Sequence, residues 1–295
     1  MIHRNENPEA RTIVVFGANG MLGSDVCREI ARAGFNLVPA DRSACDIRAA
    51  EDCRAFLENA QPQIVINCAA YTDVNGAESH RKDAFAINAT GAGNVARAAE
   101  SVDAWCLYIS TDYVFNGASR VPYESNSSTN PINVYGESKL AGELETLKNC
   151  SRTAVLRTSW LYGPNGKNFV ETMLAVAAQG KALRVIDDQH GSPTYTVDLA
   201  RLVAEWCGNP CSGIFHGTNQ GMCSWYGFAQ EIFALSGETP TSLMPVSSSE
   251  FPTPAQRPAY SVLSSQTVTD AGFKILPQWT DALRRYLDER KNGFN

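Results

Sequence analysis

A strand, a glycine-rich turn and a helix follow one another near the start of the chain. The apolar run at 12–16 leads directly into the turn at 17–23, which has the form Gly-x-x-Gly-x-x-Gly, and a helical pattern extends over 21–33. In this setting the glycines let the backbone approach a dinucleotide, and the helix amides bind its pyrophosphate. The same turn is also compatible with an ordinary strand-to-helix connection.

Short apolar runs alternate with helical stretches along the rest of the chain. This pattern predicts strands at 12–17, 36–40, 64–68, 104–110, 153–158, 183–186 and 213–217. It predicts helices at 21–33, 50–59, 81–100, 134–149, 168–179, 196–207, 225–236 and 280–290. Strands that alternate with helices pair in parallel through right-handed crossovers, and helices then cover both faces of the sheet. The predicted fold class is therefore α/β, a doubly wound parallel Rossmann sheet.

The segment 237–262 differs from the rest of the chain in composition. It contains three consecutive serines at 247–249 and five prolines from Pro240 to Pro258, so it should be loop with short elements rather than a long helix. We expect an NAD(P)-binding domain at 1–160, rejoined by parts of 183–220. We expect 161–295 to form mainly a smaller, discontinuous C-terminal α/β substrate-binding lobe that includes 237–262.

A tyrosine and a lysine are spaced to share one face of a predicted helix. Tyr135 and Lys139 lie four residues apart within 134–149, so both side chains can enter one cleft. A nearby cation lowers the pKa of a tyrosine, which then exchanges a proton near neutral pH. The hydroxyl of Thr111 could hold the same carbonyl oxygen. By itself such a pair also fits a solvated helix face, but the order of the motifs indicates hydride and proton transfer between a nicotinamide and a carbonyl or alcohol.

The end of the second predicted strand should select the cofactor. Asp41 stands where an acidic side chain would bind the adenosine ribose hydroxyls, and Arg42 could instead accept a 2′-phosphate. These two residues leave NADPH or NADH open as the cofactor, and they also fit a polar strand end. The residues predicted to contact the cofactor are Gly17, Asn19, Gly20, Met21, Leu22, Gly23, Asp41, Arg42, Asp46, Ile47, Ala69, Ala70, Tyr71, Thr72, Asn88, Tyr135 and Lys139.

Charge and hydropathy exclude several classes of protein. The net charge is −6, from 25 basic and 31 acidic residues without basic clusters, which argues against nucleic-acid binding. No apolar run approaches the roughly 20 residues of a membrane span, and the polar start at 1–11 lacks a signal-peptide core. The nine scattered cysteines form no Cys-x-x-Cys pair, so zinc is not expected. Reduced thiols indicate a cytoplasmic protein. The charge and the lack of a long apolar run predict that it has no nucleic-acid or membrane partner.

Several motifs resemble those of extended short-chain dehydrogenase/reductases, and more closely those of the dTDP-4-dehydrorhamnose reductase family. The resemblance extends from about Thr12 to Tyr286. The motifs are the glycine turn, 110–115, 133–143, 157–160, 168–169, 188–194 and 252–258. The resemblance implies that NAD(P)H delivers hydride to C4 of dTDP-4-dehydro-6-deoxy-L-mannose. It also implies that Tyr135 donates the proton, that Lys139 lowers the tyrosine pKa and holds the nicotinamide ribose, and that Thr111 binds the substrate oxygen.

The same resemblance implies a set of substrate-binding residues. Asp112 and Tyr113 would touch the sugar, Trp160 would form a wall beside it, and Arg257 would pair with the diphosphate. Core packing remains the alternative for Trp160, and a surface ion pair remains the alternative for Arg257. The full set implied to bind the substrate is Thr111, Asp112, Tyr113, Trp160, Asn168, Gln189 and Arg257.

Two departures from related patterns narrow the prediction. Sugar-nucleotide dehydratases of the superfamily carry Thr-Asp-Glu, and Tyr113 in the third position argues against dehydration. Some family members are dimers bridged by magnesium. The corresponding positions are Asp25, Val197 and Glu289, and a valine cannot ligate, so we expect no metal and leave monomer or homodimer open.

Two other functions remain as alternatives. One is a different sugar-nucleotide 4-ketoreductase or epimerase, and the other is a non-catalytic regulatory protein of the same fold. An intact Thr111, Tyr135 and Lys139 set argues against the regulatory protein, because a binding module has no need of a proton donor.

Overall fold

The computed structural model describes residues 11–294, and these contain strands and helices in regular alternation. The strands are β1 (Thr12–Phe16), β2 (Asn36–Ala40), β3 (Ile64–Asn67), β4 (Trp105–Thr111), β5 (Thr153–Thr158), β6 (Leu161–Tyr162), β7 (Ala182–Ile186), β8 (His190–Gly191), β9 (Thr194–Tyr195), β10 (Gly213–His216), β11 (Cys223–Ser224) and β12 (Ser242–Val246). The α-helices are α1 (Met21–Arg32), α2 (Ala50–Ala60), α3 (Val74–Ser79), α4 (Arg81–Phe85), α5 (Ala92–Ser101), α6 (Val134–Asn149), α7 (Phe169–Ala178), α8 (Thr196–Gly208), α9 (Trp225–Ser236), α10 (Gln266–Asp270) and α11 (Trp279–Lys291).

Six strands form one central sheet. Its spatial order is β2, β1, β3, β4, β5, β10, and every neighbouring pair is parallel. The strand order reverses between β1 and β3, and in such sheets ligands bind outside the carboxyl ends of the strands near this point. The predicted doubly wound parallel sheet is therefore confirmed. Its topology indicates a ligand site at the residues that follow β1, β3 and β4.

Helices cover both faces of the central sheet. On one face α1 packs against α8 over a core that includes Ile13, Val15 and Leu107. On the other face α2 and α6 each pack against α5, above a core that includes Val14 and Val65. Strands buried on both sides read as continuous apolar runs. This arrangement explains why the sheet strands could be found from composition alone.

A second lobe is built from α7, α9 and α11 with the two-stranded sheet of β7 and β12. Aromatic rings fill its centre: Tyr162 stacks on Tyr195 at 5.6 Å and meets Tyr286 edge-on at 5.2 Å. Phe228 packs against Tyr162 from α9. Offset and edge-to-face ring pairs are favourable, so these contacts stabilise the cluster. The second lobe thus has a core of its own, separate from that of the sheet.

The division of the chain between the lobes follows the strand pairing. Within the segment 183–220, α8 and β10 join the central sheet and its helices, whereas β7 pairs with β12 in the second lobe. The segment 237–262 contains β12 and one 3₁₀ turn, Ser248–Glu250, as expected for a loop with short elements. The later segment 266–276 returns to the first lobe, where Val268 and Phe273 pack beside α8.

The predicted helix at 81–100 is interrupted. It consists of α4, a π-helical turn over Ala86–Gly91, and α5. The turn accommodates a close approach by α6, because a side chain at Gly142 would collide with the backbone oxygen of Asn88. Tyr108 also donates a hydrogen bond to that oxygen over 2.9 Å. The preceding helix α3 was not predicted.

Other expectations concern the terminus, the thiols and membranes. The expected polar start at 1–11 falls almost entirely outside the described residues. No disulfide joins the nine cysteines, all of which lie within 11–294. None of the helices described between residues 11 and 294 has both the length and the apolar composition to cross a bilayer.

Candidate active site

A cleft of about 710 Å³ lies at the carboxyl ends of the central strands. Its walls include the glycine turn after β1, the segment after β3, the end of β4 and the start of α6. The opposite wall is formed by Thr158–Leu161, Lys167 and Trp225. The cleft therefore extends from the adenosine end predicted near Asp41 to the predicted catalytic residues.

The glycine turn fits a phosphate group. Gly17 has φ of +73°, and a side chain there would come within 2.6 Å of the Ala69 backbone nitrogen. A side chain at Gly23 would overlap the carbonyl oxygen of Gly17. Helix α1 begins after Gly20 without a side-chain cap and without an acidic residue in its first turn. Its amide groups can consequently bind an anion at this end of the cleft.

The end of the cleft near β2 carries a carboxylate that is held by hydrogen bonds. Asp41 accepts hydrogen bonds from Asn19 Nδ2 at 2.7 Å and from the Ser43 hydroxyl at 2.6 Å. The hydrogen bonds from Ser43, from the Ala44 amide and from Asn19 lower the pKa of Asp41, so it stays ionised. The side chain of Arg42 also lines this end and is 74% exposed. Asp41 and Arg42 both line this end of the cleft, and their contacts with the adenosine ribose or a 2′-phosphate stay predictions.

Asp46 is engaged by an arginine that the sequence prediction missed. Arg48 Nε donates to Asp46 Oδ1 over 2.9 Å, and both residues line the cleft with Ile47. The hydrogen bonds from Arg48 lower the pKa of Asp46 to about 2. The conformation of the turn after β2 brings Arg48 to Asp46. The composition of 41–49 does not predict that conformation, so this pair could not be predicted from the sequence.

Asn88 lies behind the residues that line the cleft and makes hydrogen bonds to two segments near it. Its side chain accepts from the Tyr71 amide over 2.8 Å and donates to the Tyr71 carbonyl and to Ser138 Oγ. Neither Asn88 nor Tyr71 lines the cleft, whereas Ala69, Ala70 and Thr72 do. The predicted contacts of Asn88 and Tyr71 with the cofactor stay predictions. In the structure the Asn88 side chain connects the segment after β3 to α6.

Thr111, Tyr135 and Lys139 line the same part of the cleft. Asn133 caps α6 by accepting from the Gly136 amide over 2.8 Å, so the helix begins just before Tyr135. Lys139 is buried and points towards β4, where its Nζ donates to the Ile109 carbonyl oxygen over 2.6 Å. Burial lowers the pKa of Lys139 to about 7 although Glu143 acts in the opposite direction.

The pKa of the tyrosine differs from the sequence expectation. Burial raises the pKa of Tyr135 to about 12, with a smaller lowering from a hydrogen bond with Thr111. The net shift is therefore upward rather than downward, and the ammonium group of Lys139 is bound to the Ile109 carbonyl oxygen. The expected lowering of this pKa by Lys139 stays a prediction. Tyr135 consequently holds its proton throughout the neutral range, which suits a proton donor.

Asp112 and Tyr113 lie beside the predicted catalytic residues. The Tyr113 ring meets the Tyr135 ring edge-on, with centroids 5.8 Å apart. Asp112 is buried, its Oδ1 accepts from the Thr111 hydroxyl over 3.0 Å, and its Oδ2 has no partner among the described residues. Burial raises the pKa of Asp112 to about 7. Both residues line the cleft and so remain candidates for contact with a substrate.

Trp160 forms part of an aromatic wall. It stacks on Trp225 with centroids 3.5 Å apart and planes inclined by 7°, and both rings line the cleft. Trp160 has φ of +47°, an uncommon conformation for a bulky residue that often marks a functional site. Trp225 begins α9 and was not predicted, because only the tertiary fold brings α9 to Trp160.

Three predicted substrate residues do not line the cleft. Asn168 caps α7 by accepting from the Glu171 amide, and Gln189 is buried in the second lobe. Arg257 donates to Thr253 Oγ1 over 2.6 Å and to Asn75 Oδ1 over 3.2 Å. Burial raises the pKa of Tyr113 and the positive charge of Arg257 acts in the opposite direction, so Arg257 lies near the edge of the cleft. Substrate contacts by these three residues stay predictions.

The positions aligned with the reported magnesium ligands make other contacts. Asp25 accepts a hydrogen bond from Thr196 and pairs with Arg28, and Glu289 accepts from the Tyr195 hydroxyl over 2.7 Å. Within residues 11–294, no three His, Cys, Asp or Glu side chains form a group suited to a metal ion. The absence of a metal stays a prediction.

Comparisons with known proteins agree with this geometry. The RmlD substrate binding domain family matches residues 11–292. The chain is 41% identical to the spore coat polysaccharide biosynthesis protein SpsK of Bacillus subtilis, over 95% of this chain and 98% of that protein. It is 42% identical to a dTDP-4-dehydrorhamnose reductase of Mycobacterium tuberculosis, over 95% and 94% respectively.

A solved structure extends the comparison to the fold. The crystal structure of dTDP-4-dehydrorhamnose reductase from Bacillus anthracis in complex with NADP superposes with a TM-score of 0.92 and 38% identity. It covers 95% of this chain and 99% of that chain. The sequence resemblance is thereby confirmed, and the chain belongs to the RmlD substrate binding domain family.

Proposed function

We propose that this protein reduces the C4 keto group of dTDP-4-dehydro-L-rhamnose with NAD(P)H to give dTDP-L-rhamnose. One observation carries the proposal: Thr111, Tyr135 and Lys139 line a cleft that also contains a glycine turn suited to pyrophosphate. The relatives named dTDP-4-dehydrorhamnose reductases, at about two-fifths identity over nearly the whole chain, support this choice of substrate.

The cofactor would lie along the first lobe. The amides of the glycine turn and of α1 would hold its pyrophosphate, and Asp41 with Arg42 would hold the adenosine ribose and any 2′-phosphate. The NADP named for the Bacillus anthracis structure supports NADPH, and Asp41 keeps NADH in the proposal. When bound, the nicotinamide supplies a hydride to the keto carbon.

Tyr135 would supply the proton. As the carbonyl oxygen gains negative charge, the phenol donates its proton to that oxygen, and Thr111 donates a hydrogen bond to it. Lys139 lies on the same helix and would bind the nicotinamide ribose with the donors that Ile109 leaves unused. Its positive charge would then favour the phenolate left after transfer.

The substrate would occupy the space between the lobes. Asp112 and Tyr113 approach the sugar position from the first lobe, and Trp160 with Trp225 encloses it from the other side. Arg257 lies beyond Tyr113 and would pair with the diphosphate after exchanging its contact with Asn75. The unpaired cysteines support a reducing, cytoplasmic location, and the protein would act as a monomer or a homodimer.

Turnover of dTDP-4-dehydro-L-rhamnose, followed by the loss of absorbance of the reduced cofactor, tests the proposal. Tyr135→Phe serves as the matched inactive control. Preference for another dTDP-4-keto sugar would favour the alternative of a different 4-ketoreductase or epimerase. Cofactor binding without turnover of any such sugar would favour a non-catalytic regulatory protein.

A further inference from the structure

The cleft contains one cation without a partner among residues 11–294. Four basic side chains line it: Arg42, Arg48, Lys139 and Lys167. Arg48 is paired with Asp46 at 2.5 Å, and Arg42 lies 3.9 Å from the same carboxylate. Lys139 is buried against a backbone carbonyl. Lys167 is exposed and makes no hydrogen bond or ion pair within the described part of the chain.

Lys167 belongs to a loop that crosses from the second lobe to the start of α1. The preceding residue, Gly166, lies so close that an added Cβ would be 3.7 Å from Met21 Cε and 3.8 Å from Met21 Cβ. Met21 is the first residue of α1, directly after the glycine turn. The loop therefore faces the end of α1 whose amide groups point into the cleft.

The loop is fixed at its base. Asn168 Nδ2 donates to the Gly163 carbonyl oxygen over 3.0 Å, and Asn168 Oδ1 accepts from the Glu171 amide over 3.0 Å. Asn168 is only 7% exposed, so its side chain closes the loop and caps α7 at the same time. Lys167 precedes this anchor directly, and only its flexible side chain must be ordered when it binds an anion.

We propose that Lys167 binds the pyrophosphate of the nicotinamide cofactor from the side opposite the glycine turn. This inference rests on the proposed function, and it adds a residue of the second lobe to a site otherwise built by the first. The turn and α1 offer neutral amides and a partial helix charge, whereas a pyrophosphate carries two negative charges. An ammonium group reaching over Met21 supplies a full charge and up to three donors.

Equilibrium binding of NADP⁺ and NADPH, measured by calorimetry and by quenching of tryptophan fluorescence, tests this role without turnover. Lys167→Ala should weaken binding about 5- to 20-fold, the range for a charge-assisted contact that is partly exposed to water. Lys167→Arg should retain most of the affinity. Lys181→Ala, an exposed lysine of the same lobe outside the cleft, is the matched control and should bind as the wild type does.

Two further binding measurements test this role, one at varied ionic strength and one with ligands that lack the pyrophosphate or the nicotinamide. The affinity of the wild type for NADP⁺ should fall more steeply with ionic strength than that of Lys167→Ala. Nicotinamide riboside lacks both phosphates of the pyrophosphate, so its weaker binding should be unchanged by Lys167→Ala. The sugar nucleotide also contains a diphosphate. Binding of dTDP to the wild type and to Lys167→Ala therefore shows whether Lys167 contacts the diphosphate of the substrate or the pyrophosphate of the cofactor.

Three outcomes would overturn the inference. Loss of dTDP affinity with unchanged NADP⁺ affinity would assign Lys167 to the substrate, and equal affinities in Lys167→Ala and the wild type would leave it without a ligand. In both cases the proposed function stands, because the wild type still binds NADP⁺. A wild type that binds neither NADP⁺ nor NADPH would remove the proposed function together with this inference.

Discussion

The ammonium group of Lys139 lies 2.6 Å from the backbone carbonyl oxygen of Ile109 and 4.1 Å from the centre of the Tyr108 ring. Both contacts are on β4, so the lysine of α6 points into the sheet. A buried ammonium needs such partners because desolvation disfavours the charged form. The position of Lys139 is thus maintained at a cost in stability, which is common for residues that serve catalysis.

Lys139→Met should separate stability from activity. Burial lowers the pKa of Lys139 from 10.5 to about 7, so the cost of the buried ammonium is complete below pH 7 and disappears as the pH rises towards 10.5. The variant should gain about 1–3 kcal/mol in free energy of unfolding at pH 6, and less at pH 9. Its kcat/KM should fall and its cofactor affinity should weaken. A variant less stable than wild type at pH 6 would refute this account of Lys139.

Tyr135→Phe should reduce kcat by about 10²- to 10⁴-fold, the usual contribution of a positioned general acid. Cofactor affinity should be unchanged because Lys139 and the glycine turn remain. Since burial raises the pKa of Tyr135 to about 12, its proton should not limit the rate below pH 10 in the free enzyme. The alkaline decrease in kcat/KM should therefore begin nearer pH 7, where Lys139 loses charge. Near-normal turnover by Tyr135→Phe would remove it from the mechanism.

A buried ion pair behind these residues provides a stability test. Arg157 Nη2 lies 2.7 Å from Glu143 Oε2, and Arg157 Nε lies 2.9 Å from Glu143 Oε1. Glu143→Gln should lower the free energy of unfolding by about 3–5 kcal/mol, because it leaves a buried guanidinium without its counter-charge. Glu137→Gln breaks the exposed pair with Arg81 and should cost under about 1 kcal/mol. Urea unfolding compares the two, and equal losses would contradict the importance of burial.

Much of this arrangement was predictable because local patterns encode it. The strand at 64–67 is buried at every position, so its apolar run identifies it without a partner. Helix α6 has a capping asparagine at its start, and the spacing of Tyr135 and Lys139 then places both on one face. The reversal of strand order, together with the glycine turn, locates the cleft.

Other features depend on contacts between distant segments. Trp225 joins the cleft only because α9 packs beside Trp160, and Lys167 because its loop reaches Met21. The pKa of Tyr135 follows from burial and from the direction of Lys139, neither of which residue spacing can supply. The π-helical turn likewise reflects the close approach of α6.

Arg42→Ala should shift cofactor preference towards NADH. The side chain is exposed at the end of the cleft where a 2′-phosphate would lie, and Asp41 would repel that phosphate. The ratio of kcat/KM for NADPH to that for NADH should fall about 5- to 20-fold. Arg54→Ala removes an exposed arginine of α2 outside the cleft and should leave the ratio unchanged. An unaltered ratio in Arg42→Ala would show that the ribose site is misassigned.

Asp112→Asn should change the dependence of stability on pH. Burial raises the pKa of Asp112 from 3.8 to about 7, so the folded state retains a proton that the unfolded state releases. The stability contributed by the protonated carboxyl is complete below pH 3.8 and is lost as the pH rises to about 7.

Asparagine is neutral at every pH. The free energy of unfolding of the variant relative to wild type should therefore increase by about 2–4 kcal/mol between pH 4 and pH 8, then level off. Urea unfolding at pH 4.5, 6 and 8 measures this difference, and Asp288→Asn, which removes an exposed carboxylate, is the control. A constant difference for Asp112→Asn would mean that burial does not raise the pKa of the Asp112 carboxyl.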